Sequence, residues 1–168
     1  NYVATAINNA RLFNETQRHL TEMEALQRVT LRLTSTLDLS AILDTVTESV
    51  LSITQANDCH IFLYDEKTQT FTFGAALWED GRREPFVEQP RPNGLTATIA
   101  KQGQPLIIDQ VHQHPLYADE EAQSWGLESI AGFPLKWRDR ILGALTVAFV
   151  EPHTFAESEI RVLSLLAD

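Results

Sequence analysis

The sequence predicts an α+β domain: a central antiparallel sheet with helices packed on one face, preceded by one long connecting helix. Three observations carry that prediction. Residues 1–37 contain no Pro or Gly and are rich in Leu, Ala, Glu, Gln, Arg and Asn, the composition of an uninterrupted helix. From residue 59 the apolar runs become short and are separated by turn residues, which is a strand pattern. Helical stretches over 94–103 and from 156 onward complete a mixture of a sheet with helices on one side.

The chain divides into a connecting helix, 1–37, and a domain, 38–168. In the helix, Leu12, Thr16, His19, Met23, Leu26, Thr30, Leu33 and Leu37 follow a 4-3-4-3 spacing that keeps one seam facing a partner helix. The polar members make that coil weak. Asp38 can cap the next helix, LSAILDTVTESVLSITQA, whose Leu39, Ile42, Leu43, Val46, Val50 and Ile53 recur at helical spacing toward a core. HIFLYD and TFTFGAALW, joined by EKTQ, read as a hairpin, and the Pro- and Gly-rich EDGRREPFVEQPRPNG as a loop. GLTATIAKQG is a short helix that Gly103 can end in the left-handed conformation, after which Pro105 steers PLIIDQV out as a strand. A short helix over 119–125 turns at Gly126 into ESIAGFPLKW, where Pro134 belongs at an edge or bulge. After a turn at RDR comes ILGALTVAFV, with Gly143 and Ala144 small where a helix must approach, and then the last helix.

Composition narrows function by exclusion. A formal charge of −10, from 23 acidic against 13 basic residues, argues against a nucleic-acid groove or an anionic membrane surface as partner. The single cysteine, Cys59, rules out an internal disulfide framework and a multi-cysteine zinc site, and suits the cytoplasm. No apolar run reaches the length of a spanning helix, so direct membrane contact is not expected.

Catalytic groups are scarce. Cys59 and His60 are neighbours on a strand and point to opposite faces, so they do not form a nucleophile and base; Cys59 reads as a core residue. His112 and His114 have no third ligand at metal-site spacing and read as solvated loop residues that pair locally with Asp109 or Asp119. Asp119, Glu120 and Glu121 place negative charge at a helix N-terminus, where the helix dipole favours it. Neither a catalytic nor a metal site is expected.

The order of features from GLTATIAKQGQPLIIDQV through HPLYADEEAQSWGLESIAGFPLKWRDRILGALTVAFV to FAESEIRVLSLLAD resembles the GAF domain family, sensor and dimerisation modules of signalling proteins. The resemblance covers residues 39–168 and implies a non-catalytic sensory domain, cut short in its last helix, that passes a conformational bias to an output domain such as a histidine kinase or cyclase. A ligand-free structural dimerisation module is the alternative. The family's methionine-sulfoxide reductases cycle through several cysteines, which Cys59 alone does not supply. No bilin-attaching Cys stands in the corresponding segment, 112–126; haem or a cyclic nucleotide stays open as ligand, without a matching motif.

The resemblance also implies a small-molecule pocket between one sheet face and the segments over 78–126. Its candidate lining is Phe62, Tyr64, Phe73, Leu95, Ile99, Tyr117, Trp125, Phe133 and Leu145, with Thr96, Asp109, His112 and Ser129 as polar contacts. A homodimer through Leu12, His19, Met23, Leu26, Leu33 and Leu37 is expected. TAINNARLF at 5–13 is similar to the segment that follows the last helix in this family, so 1–13 reads as the end of a preceding domain of the same kind.

Overall fold

The structure is a computed structural model that describes Gln17, Met23 and residues 39–168. The seam positions Leu12, His19, Leu26, Leu33 and Leu37 lie outside the described residues, as do Asp38 and the segment 1–13; Met23 is helical and 68% exposed. Residues from Ser40 to Asp168 form one unit.

Residues 39–54 are helical (α1). Then β1 (Asp58–Asp65) and β2 (Thr70–Trp78) form the expected hairpin. Its turn is set by Asp65, whose carboxylate accepts the Lys67 N–H at 2.8 Å, and by Gln69 at φ 55. Next come α2 (Leu95–Gln102), β3 (Leu106–Ile108), 3-10 turns at Val111–Gln113 and Pro115–Tyr117, and α3 (Glu120–Gln123). The chain closes with β4 (Ser129–Trp137), β5 (Arg140–Phe149) and α4 (Glu157–Ala167).

The strands lie in the order β2-β1-β5-β4-β3, and every pairing is antiparallel. β5 is central, and Gly143 to Phe149 are all buried, as the run GALTVAF, apolar but for Thr146, requires of a strand covered on both faces. β3 keeps only three paired residues; beyond Gly132 that side of β4 is open, and Pro134 sits there beside a register shift, where its missing N–H is tolerated.

Side chains alternate between the faces, so each strand feeds two cores. On one face Cys59, Ile61, Ala131, Phe133, Leu145 and Val147 pack with Leu43 and Val50 of α1 and Leu163 and Ala167 of α4. On the other, Ile130, Ala144 and Ala148 pack under Leu95 and Ile99 of α2 and under Val111, Tyr117, Ala122 and Leu127. The α+β sheet with α1 and α4 on one face stands as predicted, and α2 is added on the opposite face. The physical reason is residue size: a Cβ on Gly132 would lie 2.0 Å from Ile99 Cδ1, so small residues leave the space α2 occupies.

Two local expectations change. On α1, Leu43 and Val50 are buried but Leu39, Ile42 and Ile53 are 43%, 59% and 50% exposed, because the helix turns a narrower stripe to the sheet than its apolar residues span. Gly143 is small for a strand and not for a helix: its Cβ would meet the Phe62 carbonyl oxygen of β1 at 2.2 Å.

Gly103 closes α2 as predicted, and Asp119, read from the sequence only as charge at a helix N-terminus, also acts as a cap. Gly103 (φ 65) ends α2 with its N–H on the Ile99 carbonyl at 2.8 Å, and Asp119 caps α3 by accepting the Ala122 N–H at 2.8 Å.

Candidate functional site

The α2 face carries the polar and aromatic convergence. Asp58 and His60 are two apart on β1, hence on one face, and both are buried. His60 Nδ1 lies 2.9 Å from Asp58 Oδ1, and its Nε2 accepts the backbone N–H of Phe86 at 3.1 Å. The loop over 79–94 is thereby tied to the sheet by a buried imidazole. Trp78 stands edge-on to His60 with centroids 5.3 Å apart and donates its indole N–H to the Glu84 carbonyl at 2.9 Å.

An aromatic ladder continues outward. Phe86 lies 5.5 Å from Trp78 and 5.1 Å from Trp125, and Trp125 is 6.2 Å from Tyr117. Arg91 caps it, its guanidinium 4.7 Å above Trp125 and 5.3 Å above Tyr117, paired with the Asp119 carboxylate and donating to the Leu116 carbonyl at 2.9 Å. Burial pushes the Tyr117 hydroxyl up from its ordinary pKa, the Asp58 charge adds to this, and Arg91 opposes it. Stacking and charge-assisted bonds join the loop over 79–94 to the turns and short helix of 111–127.

Of the residues expected to line a pocket, Phe62, Tyr64, Leu95, Ile99, Tyr117 and Trp125 belong to this face or its cover. Phe62 pairs with Phe73 at 6.0 Å and Tyr64 with Phe71 at 4.9 Å, while Thr96 is half-buried on α2. A cleft of about 350 Å³ opens between Tyr64, Phe71, Pro90, Pro92 and Lys101, and one of about 410 Å³ lies beside Arg91, Asn93, Leu116 and Asp119. Phe133 and Leu145 are fully buried against α1 and α4, so they stand on the far side of the sheet; odd and even positions of a strand cannot share a face. Ser129 is buried as well, donating to the Asp109 carbonyl and accepting the His153 N–H, each at 2.9 Å. Asp109 is exposed.

His112 is also exposed, but both ring nitrogens are engaged, Nδ1 with Gln123 at 3.0 Å and Nε2 with Glu128 at 3.1 Å. Its partners are these rather than Asp109 or Asp119. The Gln123 hydrogen bond, then the Glu128 hydrogen bond and charge, hold its pKa above the ordinary value. His114 instead accepts the Leu116 N–H at 3.3 Å. Among the described residues no group of three or more His, Cys, Asp or Glu is placed to hold a metal ion, and no helix is long and apolar enough to cross a membrane.

Asp58, His60, Trp78, Phe86 and Arg91 were missed by the sequence reading. The Asp-x-His spacing on a strand was a usable signal for the first pair. Nothing local marks Phe86 or Arg91, whose partners lie 26 and 28 residues away.

Cys59 faces the α1 and α4 side, fully buried, and burial, with the Asp58 charge second, pushes its thiol far above the ordinary range. We expect it to be inert to an aromatic disulfide reagent in the folded protein and to react at once in denaturant. Stoichiometric reaction without unfolding would contradict the burial.

A family model described as GAF domain matches residues 36–168. The fold is similar to the GAF domain of an Acinetobacter phosphoenolpyruvate-protein phosphotransferase (22% identity, TM-score 0.63, covering 88% of each chain). It is also similar to a type II free methionine-R-sulfoxide reductase from Thermoplasma acidophilum (12%, TM-score 0.65, 79% of this chain and 89% of that one). A third likeness is to the blue-light absorbing form of the Thermosynechococcus elongatus PixJ GAF domain (17%, TM-score 0.64, 79% and 83%). With the sheet order, the two cores and the covered face in place, the chain belongs to the GAF domain family.

Proposed function

We propose that this chain is a non-catalytic sensory domain of a signalling protein, taking a small organic ligand on the α2-covered face and passing the change to its flanking helices. The observation that carries this reading is the placement of the loop over 79–94. Phe86 and Arg91 build the cover of that face, while Arg83 of the same loop reaches α1, bonding Asp44 at 3.0 Å and Glu48 at 2.5 Å. A ligand that repositions the cover therefore pulls on α1. The inert environment of Cys59 speaks against a thiol-based reductase.

Pairing into a homodimer is part of the proposal. Leu39, Ile42 and Ile53 of α1 and Val162 and Leu165 of α4 are exposed apolar residues on the two helices that share one core, the kind of surface a second copy covers. The same surface is what favours the second reading, a dimerisation module without ligand.

A thermal-shift screen with nucleotides, amino-acid derivatives, haem and biliverdin separates the two, since a ligand bound only by the native state must raise Tm. We expect at least one class to raise Tm and Trp125→Ala to abolish that rise. A Tm flat across every class would leave the dimerisation module as the surviving reading.

A further inference from the structure

We propose that His60 is an acid-sensitive latch: its neutral ring holds the loop over 79–94 on the sheet, and protonation releases that loop together with its Arg83 clamp on α1. The inference stands apart from whether any ligand binds.

The geometry fixes the tautomer. With the Asp58 carboxylate accepting from Nδ1–H at 2.9 Å, the lone pair of the ring is at Nε2, and it is this lone pair that accepts the Phe86 N–H at 3.1 Å. Adding a proton at Nε2 places two donors against each other and removes the acceptor of the Phe86 N–H; His60 is only 5% exposed, whereas Phe86 is 41% exposed, so the freed N–H turns to solvent as the loop lifts. The Asp58 side gains at the same time, because the charged ring makes an ion pair with that carboxylate. Protonation thus strengthens the bond within β1 and removes the bond to the loop.

The other groups around the ring do not offer a replacement. Across the sheet its neighbours are Ala76 of β2 and Thr146 of β5, which carry no charge. At the end of β2 stands Trp78, with Arg82 stacked 4.5 Å above it, and from the cover comes Tyr117, close enough to feel the Asp58 charge and itself under Arg91. None of these accepts the Phe86 N–H.

Beside the latch, Trp78 also holds the loop through the Glu84 carbonyl at 2.9 Å and its ring contact with Phe86, and neither contact titrates; the remaining attachments lie toward the ends of the loop. Asn57 donates to Glu79 at 3.0 Å at the start, and Arg91 pairs with Asp119 near the close. Between them, Phe86 is the point at which the backbone meets the sheet through His60, and Arg83 shares that stretch. An imidazole is the side chain whose ordinary titration falls in the physiological range.

Amide hydrogen exchange by NMR on the full chain, at about pH 8 and about pH 5.5 and corrected for the intrinsic rate, tests the latch. The Phe86 protection factor is expected to fall at least roughly tenfold toward the lower pH, while the β1 and β5 amides of Ile61 and Leu145 keep theirs. In His60→Gln, whose side-chain oxygen accepts the same N–H and does not titrate, Phe86 protection should stay level. The ring nitrogen shifts of native His60 provide a reading that needs no variant: they must pass from the Nδ1–H tautomer to the imidazolium over the interval in which Phe86 loses protection. Equal Phe86 protection at both pH values, the same fall in His60→Gln, a ring that stays neutral while the loop opens, or a fall shared with Ile61 and Leu145 would each overturn the proposal.

Discussion

Replacing Gly143 by alanine is expected to destabilise the domain by about 3 kcal/mol or more, the upper end of single-substitution effects. The added methyl would lie 2.2 Å from the Phe62 carbonyl oxygen, 3.0 Å from Leu63 Cα and 3.1 Å from the Phe62 carbonyl carbon. All three are backbone atoms of β1, so no rotamer change relieves the clash. The only relief is to part β1 from β5, the pairing that joins the hairpin to the rest of the sheet.

Gly132→Ala is the internal comparison. Its methyl would meet Ile99 Cδ1 at 2.0 Å and Leu95 side-chain atoms at 3.3 Å, the ends of side chains on a helix that can shift. A loss of about 1–2 kcal/mol is expected there. Urea unfolding of both variants decides the matter; a Gly143→Ala loss equal to or smaller than that of Gly132→Ala would mean that β1 yields easily at this point.

These two glycines show where sequence reading reaches and where it stops. That Gly143 must be small was legible from its place in an apolar strand; that the neighbour is a strand backbone was not, because Phe62 lies far away in the chain and the approach is set by the sheet's closure. Local signals did well. The hairpin, the Gly103 cap, the acidic start of α3 at Asp119 and the position of Pro134 each depend on residues within a few places of one another, and each formed as read. The pocket residues mixed two scales. The β4–β5 register puts Phe133 and Leu145 opposite each other on one face, but which face α2 would cover depends on Gly132 and Ala144 meeting Ile99, a contact no local pattern encodes. The cover was the least legible part, since Arg91 finds Asp119, Trp125 and Tyr117 only after the loop has folded back.

Phe133→Ala should lower stability by about 3–5 kcal/mol while leaving the α2 face unaltered. Among the described residues Phe133 is the largest of the fully buried side chains and fills the core shared with α1 and α4, so truncation leaves a cavity there that the sheet, packed on both faces, closes only in part. The void is screened from the cover by the sheet itself. Trp125→Ala makes the opposite trade. Trp125 is half-buried and touches Phe86, Tyr117 and Arg91, so its loss removes less buried surface but dissolves the ladder that holds the cover. The two variants should therefore separate on two axes: urea midpoints fall further in Phe133→Ala, whereas the amide resonance of Phe86 and the indole resonance of Trp78 move further in Trp125→Ala. If Phe133→Ala shifts those cover resonances as much as Trp125→Ala does, the faces are coupled through the sheet, and the α1 side answers to the covered face through the core as well as through Arg83.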